Sequence, residues 1–194
     1  MRVTGGELAS RRLFGPSKRM PLRPTPDSLR ERAFSILGPA ISGAAFLDLF
    51  AGSGAVGIEA LSRGARQVHF VETHRAAAAL IRRNLETLRI PREKTRISCH
   101  NAERAIGLLA RRSKRFSFLW ADPPFSRWEL GLDAIGLALK SSLLETGALL
   151  MLECPDHAVI SALPAGLELA REVSAGASRL LFFRTSDTRR SNDA

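Results

Sequence analysis

The sequence has no tyrosine and only two cysteines in 194 residues. Without tyrosine, an aromatic ring that stacks on a ligand must belong to phenylalanine or tryptophan. Cys99 and Cys154 are too few for a disulfide framework, and two lone thiols indicate reduced, packed residues in a cytosolic protein. No run approaches the roughly 20 apolar residues of a membrane span, and Met1 to Glu7 lacks the apolar stretch of a signal peptide. We therefore expect a cytoplasmic protein without a membrane partner.

Negative charge is also scarce. The chain has 29 Lys and Arg residues against 19 Asp and Glu, which gives a net charge of +10 and a pI of about 11.2. Nearly all the cations are arginine, whose guanidinium group grips phosphate in a bidentate fork. A genome-driven preference for arginine would produce the same bias. The charge indicates a polyanionic partner, and composition alone does not identify it.

The length and the alternation of apolar segments indicate one α/β domain. The pattern predicts a Rossmann-like, doubly wound, mostly parallel sheet of seven strands with helices on both faces. We expect the domain at residues 23–185, a basic extension at 1–22 and a polar, disordered tail at 186–194. Strands are predicted at 46–50, 68–71, 95–99, 116–120, 147–152, 167–173 and 180–183. Helices are predicted at 26–37, from 58 onward, and at 76–88, 101–109 and 130–144.

The extension mixes apolar with basic side chains. Val3, Leu8, Leu13 and Phe14 predict a short β-hairpin with a basic face. A frayed tail is the alternative, since chain termini are commonly disordered. On the hairpin hypothesis, five cations are candidate RNA-binding residues: Arg11, Arg12, Lys18, Arg19 and Arg23.

The first helix is expected to follow the extension directly. Thr25 can cap it, with Pro26 as its first residue. An apolar stripe between Leu29 and Leu37 would pack on the sheet, which leaves Arg30 and Arg32 in solvent.

A glycine-rich turn follows the first strand. Residues 46–50 form an apolar run broken only by Asp48, and Gly52, Gly54 and Gly57 come next. Glycine lets the backbone turn sharply and approach a ligand closely. The second strand then ends in Glu72. Strand, glycine turn, helix, strand and acid form one half of a nucleotide-binding α/β sheet.

Three hypotheses fit this turn. A dinucleotide would place its pyrophosphate on the turn, where the Asp48 carboxylate would repel it. S-adenosylmethionine carries an ammonium and a sulfonium instead, and both favour a nearby acid. Glu72 suits either ligand, since its oxygens can accept from both ribose hydroxyls. A helix-packing turn with a solvated Asp48 is the third. S-adenosylmethionine is favoured, but the turn alone leaves the choice open.

The fourth strand ends in Asp122-Pro123-Pro124-Phe125. Strands one and four flank the point where strand order reverses, so we expect Asp122 to face the glycine turn. The prolines remove two backbone donors, which leaves carbonyl oxygens to accept from an exocyclic amine. Asp122 would accept one N–H, the Pro123 carbonyl the other, and Phe125 would stack on the base. Two such acceptors favour a pyramidal amine, a geometry found mainly in the transition state.

Together these motifs resemble the class I S-adenosylmethionine-dependent methyltransferases that modify amino groups. More narrowly, the sequence resembles the bacterial RsmD-like family, which methylates a guanine N2 amine in small-subunit (16S) ribosomal RNA. The resemblance rests on residues 1–6, 23–37, 48–65 and 122–125. The second segment is the most specific to the family, and the third and fourth are shared with wider methyltransferase groups.

The resemblance implies roles for individual residues. It implies cofactor contacts from Thr25, Asp48, Phe50, Gly52, Ser53, Gly54, Glu72, Asn101 and Ala102. It implies target-base contacts from Asp122, Pro123 and Phe125, with Pro124 beside them on the substrate. Three departures stand out: Asn101 replaces the usual acid, Phe125 replaces the commoner tyrosine, and no aromatic residue precedes Gly176.

Several hypotheses therefore compete. The first is methylation of 16S rRNA in the small ribosomal subunit or its assembly intermediate, by a monomer. Adenine-N6 methylation of DNA, or another amino methylation, uses the same chemistry. An NAD-dependent oxidoreductase and a non-catalytic RNA-binding module are less favoured. The four histidines do not cluster at metal-ligand spacing, so no metal is expected.

Overall fold

A computed structural model describes residues 1–16 and 25–185 of the chain. Its five α-helices are α1 (Asp27–Leu37), α2 (Ala55–Ser62), α3 (Arg75–Thr87), α4 (Ala102–Arg111) and α5 (Glu129–Lys140). Its seven strands are β1 (Ala45–Leu49), β2 (Gln67–Val71), β3 (Thr95–Ser98), β4 (Phe116–Ala121), β5 (Leu144–Pro155), β6 (Leu167–Ala175) and β7 (Ser178–Thr185). Lys18, Arg19, Arg23 and the predicted tail at 186–194 lie outside the described residues.

The strands form one sheet in the order β3-β2-β1-β4-β5-β7-β6. The first five strands in this order are parallel to one another, and β7 runs antiparallel to both β5 and β6. The strand order reverses between β1 and β4, which are adjacent. The doubly wound, mostly parallel seven-stranded sheet predicted from the sequence is confirmed.

Helices cover both faces of the sheet, and this explains why every residue of β1 is buried. On one face Phe34 of α1 stacks on Phe46 and Trp120, with ring centroids 6.1 and 6.3 Å away. On the other face α4 and α5 pack on the alternate residues of the same strands, such as Leu47 and Leu119. Asp48 and Asp122 thus lie at the ends of strands that two cores hold in place.

The first 16 residues form a chain reversal rather than a regular two-stranded hairpin. A single antiparallel bridge joins Arg2 and Arg12. Val3 and Leu13 are buried against the main core, and Leu8 packs on its edge. The expected apolar side of this segment therefore exists, and it is continuous with the core of the domain.

Three local expectations are wrong, each for a tertiary reason. Thr25 does not cap α1, because its hydroxyl donates to Asp122 instead. Arg30 is not solvated; it is fully buried and bonded on several sides. The helix predicted to reach residue 144 ends at Lys140, since β5 already begins at Leu144. No α-helix in the described part is long and apolar enough to cross a membrane.

Candidate active site

The main cavity opens at the carboxyl ends of β1, β2 and β4. Its volume is about 790 Å³, within the range of small-molecule sites. Most of the residues singled out from the sequence line it: Thr25, Asp48, Phe50, Gly52, Ser53, Glu72, Asn101, Ala102, Asp122, Pro123, Pro124 and Phe125. The topology thus brings the glycine turn and the Asp-Pro-Pro-Phe segment into one pocket.

The glycine turn is tightly built. Phe50, Gly52 and Gly54 all have positive φ angles, of 61°, 55° and 79°, so the chain turns through conformations that glycine tolerates best. Gly54 does not line the cavity; a Cβ there would lie 3.2 Å from Ile81 of α3. A Cβ on Gly57 would come within 2.3 Å of the Phe70 ring. These two glycines allow α2 and the turn to pack closely on their neighbours.

Glu72 is held by the backbone around it. Its Oε2 accepts from the Gly52 N–H at 2.8 Å, and its Oε1 accepts from the His74 N–H at 2.8 Å and from the Thr73 hydroxyl at 3.3 Å. A carboxylate has about four acceptor positions, so Oε2 keeps capacity for a ligand hydroxyl. The tip of β2 and the glycine turn are therefore locked together around one carboxylate.

Asp48 is almost completely buried at the end of β1. Its Oδ2 accepts from the Gly57 N–H in the first turn of α2, at 2.9 Å. Burial raises the pKa of Asp48 from 3.8 to about 7; the Gly57 hydrogen bond opposes this rise and the Glu72 charge adds to it. A cation bound in the cavity would favour the ionised form.

Asp122 is oriented by a contact that the sequence did not predict. The Thr25 hydroxyl donates to Asp122 Oδ2 at 2.8 Å. Burial raises the pKa of Asp122 well above its usual value, and the Glu153 and Asp48 carboxylates raise it further, while the Thr25 hydrogen bond lowers it. Thr25 thus engages one oxygen of Asp122 and leaves the other for a ligand.

Sequence reasoning missed Glu153. It lies near the end of β5, is buried and lines the same cavity. A signal was present, because Glu153 interrupts the apolar run 149–154 just as Asp48 interrupts the first strand. The other cavity residues outside the sequence-based set include the polar or charged Thr73, His74, Glu103, Arg127 and Asp133, and Pro16 and Leu130.

The cavity is acidic although the chain is strongly basic. Its acidic lining residues are Asp48, Glu72, Glu103, Asp122, Asp133 and Glu153, whereas Arg127 is the one Lys or Arg among the described residues that line it. Such a lining disfavours a pyrophosphate and suits a ligand with positive charge. The residues present therefore fit S-adenosylmethionine, with its ammonium and sulfonium groups, better than a dinucleotide.

The segment after β4 is stiff and close-packed. Two prolines fix its φ angles, and a Cβ on Gly131 of α5 would meet Pro123 at 3.0 Å and Leu152 at 2.4 Å. Phe125 then opens a short 3-10 turn that ends at Arg127. The backbone at Pro123 therefore has little freedom to move relative to the sheet.

Buried polar contacts tie the start of the chain to this site. Arg30 Nε lies 3.4 Å from Glu59 Oε2, and its guanidinium group also donates to the carbonyls of Thr25 and Arg2. Glu59 in turn accepts from the Thr4 N–H and hydroxyl at 2.7 and 2.8 Å. The residue that orients Asp122 is thus anchored through a buried arginine.

Asn84 makes a second link between the start of the chain and the site. Its side chain accepts from the Phe14 N–H at 2.8 Å and donates to the Phe14 carbonyl at 3.1 Å. The same amide donates to the Ser53 carbonyl in the glycine turn at 3.0 Å. One buried side chain therefore joins residues 1–16 to the turn.

The remaining sequence-based candidates have other positions. Asn101 is the N-cap of α4, where its Oδ1 accepts from the Arg104 N–H at 2.9 Å. Arg11 and Arg12 are exposed and do not line the cavity. Their role in RNA binding therefore stays a prediction.

Comparisons with known proteins agree with this geometry. The sequence model of the family described as conserved hypothetical protein 95 matches residues 1–184. Ribosomal RNA small subunit methyltransferase D of Escherichia coli K12 is 36% identical over 176 residues, which cover 91% of this chain and 85% of that protein.

Solved structures give the same result. The structure of yhhF from Escherichia coli superposes with a TM-score of 0.81 and 31% identity, covering 96% of this chain and 98% of that one. A conserved hypothetical protein of Streptococcus pyogenes gives a TM-score of 0.73 and 29% identity, covering 81% and 95% of the two chains. The chain belongs to the conserved hypothetical protein 95 family, the RsmD family of methyltransferases.

Proposed function

We propose that this protein transfers a methyl group from S-adenosylmethionine to the exocyclic N2 amine of a guanine in 16S ribosomal RNA. The observation that carries the proposal is the placement of Asp122 and the rigid Pro123 backbone in one cavity with the glycine turn. The name of the Escherichia coli relative, a small-subunit ribosomal RNA methyltransferase, supports the choice of RNA. The substrate is the small ribosomal subunit or its assembly intermediate, and the enzyme acts as a monomer.

The proposed cofactor contacts come from the acidic side of the cavity. S-adenosylmethionine, when bound, supplies an electrophilic methyl group on a positively charged sulfur. Asp48 and Glu72 provide negative charge and hydrogen-bond acceptors beside the turn formed by Gly52, Ser53 and Gly54. The further proposed contacts are Thr25, Phe50, Asn101 and Ala102.

Asp122 and Pro123 orient the amine. An aryl amine is a poor nucleophile because its lone pair is delocalised into the ring. The free Asp122 oxygen accepts one N–H and the Pro123 carbonyl accepts the other, and together they favour a pyramidal nitrogen with its lone pair directed at the methyl group. These contacts are strongest in the transition state, so they lower the barrier rather than only improving binding.

The same carboxyl can take up the proton that the reaction releases. Once nitrogen has formed its new bond to carbon, it carries a positive charge and a surplus proton. The raised pKa of Asp122 makes its carboxylate a better proton acceptor than an ordinary aspartate. A dedicated strong base is not required, because an arylammonium ion is acidic.

The target base enters while its phosphates stay outside. An acidic cavity repels phosphate, so the guanine must be splayed out of the RNA to reach Asp122. Phe125, half-buried at the rim beside Pro124, stacks on the base. Arg11 and Arg12 on the N-terminal segment, with Lys18, Arg19 and Arg23, bind the backbone around it.

The test is a methylation assay with labelled cofactor. Small ribosomal subunits from a strain lacking the gene should accept label from the protein, and nucleoside mass spectrometry should identify N2-methylguanosine. Duplex DNA serves as the parallel substrate. Label found only in DNA as N6-methyladenine would overturn the proposal, and so would a different methylated nucleoside in the RNA.

A further inference from the structure

The end of the sheet opposite the cavity carries a dense set of cations. Two loops lie at this end, one before β3 and one between α4 and β4. Their cations, together with one from β3 itself, form what we call the amino-end basic surface: Arg92, Lys94, Arg96, Arg112, Lys114 and Arg115. All six side chains are exposed.

These cations converge in space as well as in sequence. Burial lowers the pKa of His69 on β2 to about 4, and the charges of Arg96, Arg112 and Lys114 lower it further. Arg96 on β3 and the loop between α4 and β4 thus both place positive charge near one histidine, and the Arg96 guanidinium group also donates to the Arg92 carbonyl at 3.0 Å. The ring of His69 packs against Phe116, and its Nε2 lies 2.8 Å from Ser98 Oγ. These two contacts hold the imidazole ring in place.

The charge of this surface is not neutralised within the protein. In the described parts of the chain, none of the six cations has a carboxylate oxygen within salt-bridge distance. The Arg96 guanidinium group donates to the Thr95 and Arg92 carbonyls, contacts that keep its charge. Glu93 lies among them in sequence, and Glu145 is engaged by the Ser117 hydroxyl at 2.6 Å. The surface therefore has six cations and these two acids near it, and such an excess of positive charge attracts a polyanion.

We propose that the amino-end basic surface is a second RNA-docking surface, which binds phosphates of the substrate RNA remote from the methylated guanine. The inference rests on the proposed function for the identity of the polyanion. The six residues of β4 separate this surface from Asp122 by roughly 20 Å. A short oligonucleotide in the cavity would not reach it, whereas a folded ribosomal particle would. The surface therefore selects for large, structured RNA.

The test removes three charges at once. In the variant Arg112→Gln/Lys114→Gln/Arg115→Gln, we expect the Kd for small ribosomal subunits at physiological salt to rise roughly 10- to 100-fold, and the salt slope of log K to fall by about 2 to 3. Affinity for S-adenosylmethionine should not change. Methylation of a short RNA hairpin that contains the target guanine should also be unaffected.

Two further variants separate the effect of this surface from those of net charge and of unfolding. Arg32→Gln/Arg82→Gln/Arg171→Gln removes three exposed positive charges from α1, α3 and β6 and should weaken subunit binding much less. If it weakens binding equally, net charge is responsible and the proposal is wrong. If the first variant unfolds, Arg92→Gln/Lys94→Gln tests the other loop and should raise the Kd several-fold.

These experiments distinguish a failure of the second docking surface from a failure of the proposed function. A wild-type protein that methylates no RNA refutes the proposed function. A wild-type protein that methylates subunits, with surface variants of unchanged Kd, refutes only the second docking surface.

Discussion

The cavity and the amino-end basic surface lie at opposite ends of the same parallel strands and have opposite charge. The cavity gathers six acids and one arginine from the described chain, whereas the other end gathers six unpaired cations. The net charge of +10 is the sum of these unlike regions. It indicates a polyanionic partner for the outer surface, but it says nothing about the ligand of the acidic pocket. A strongly basic protein can therefore keep an acidic pocket that disfavours phosphate.

Removal of the Asp122 charge should have the largest effect on the acidic side. In Asp122→Asn, one acceptor for the amine becomes a possible donor, and we expect kcat to fall roughly 100- to 1,000-fold. The Kd for the substrate RNA should remain as in wild type, because the proposed phosphate contacts lie elsewhere. The matched control is Glu168→Gln on β6, an exposed carboxylate outside the cavity. A change in RNA affinity as large as the change in kcat would show that the two regions are not separate.

Arg30 belongs to neither of these two regions. It is a cation buried in the interior of the protein, beside Glu59. Arg30→Met leaves the buried Glu59 carboxylate with fewer partners, and we expect the free energy of unfolding to fall by about 3 kcal/mol. Denaturant titration measures the change. Arg32→Met, on the exposed side of the same helix, should change it by less than about 0.5 kcal/mol. Equal effects at the two positions would remove the structural role given to Arg30.

The pH dependence of cofactor binding tests the role of the acidic carboxylates in the cavity. The pKa of Asp48 is raised from 3.8 to about 7. Between these pH values the folded protein keeps a proton on Asp48 that the unfolded chain has released. Its contribution to stability is therefore lost as the pH rises from about 4 through 7. A bound cation favours the ionised carboxylate, so binding below pH 7 should release a proton.

Calorimetry can detect this linkage. The affinity for S-adenosylmethionine should rise about 10-fold between pH 6 and pH 8, and proton release should be visible in buffers of different ionisation enthalpy. Because S-adenosylhomocysteine lacks the sulfonium charge, its affinity should vary less. Asp48→Asn should flatten the profile, with the residual slope assigned to Asp122. Identical profiles for the two ligands would contradict an interaction between the acidic lining and the sulfonium, because both ligands carry the ammonium group.

The smallest expected effect concerns Asn101 at the rim. Asn101→Ala removes the cap of α4 and should lower stability by about 1 kcal/mol. Asn101→Asp keeps the cap and adds a charge at the cavity, so it should preserve stability while raising cofactor affinity a few-fold. Thermal unfolding and a cofactor titration separate these contributions. Equal cofactor affinities in all three proteins would place Asn101 outside the binding site.

The sequence predicted the sheet well because its signals are local. Apolar runs such as 116–120 and the glycine turn encode strands and their order along the chain, and parallel topology then brings their carboxyl ends together. The pairing of Thr25 with Asp122 could not be predicted, since it joins residues 97 positions apart. Arg30 was misplaced for the same reason: its burial depends on Glu59 and on the carbonyl of Arg2, which no periodicity reveals.

The contact of Met1 with the glycine turn has a practical consequence. The Ser53 hydroxyl lies 3.7 Å from the Met1 sulfur, and the Met1 carbonyl accepts from the Leu13 N–H. An affinity tag fused before Met1 would begin close to Ser53, which lines the cavity. Recombinant protein tagged there should bind cofactor differently from protein whose tag has been cleaved, so kinetic constants are best measured after cleavage.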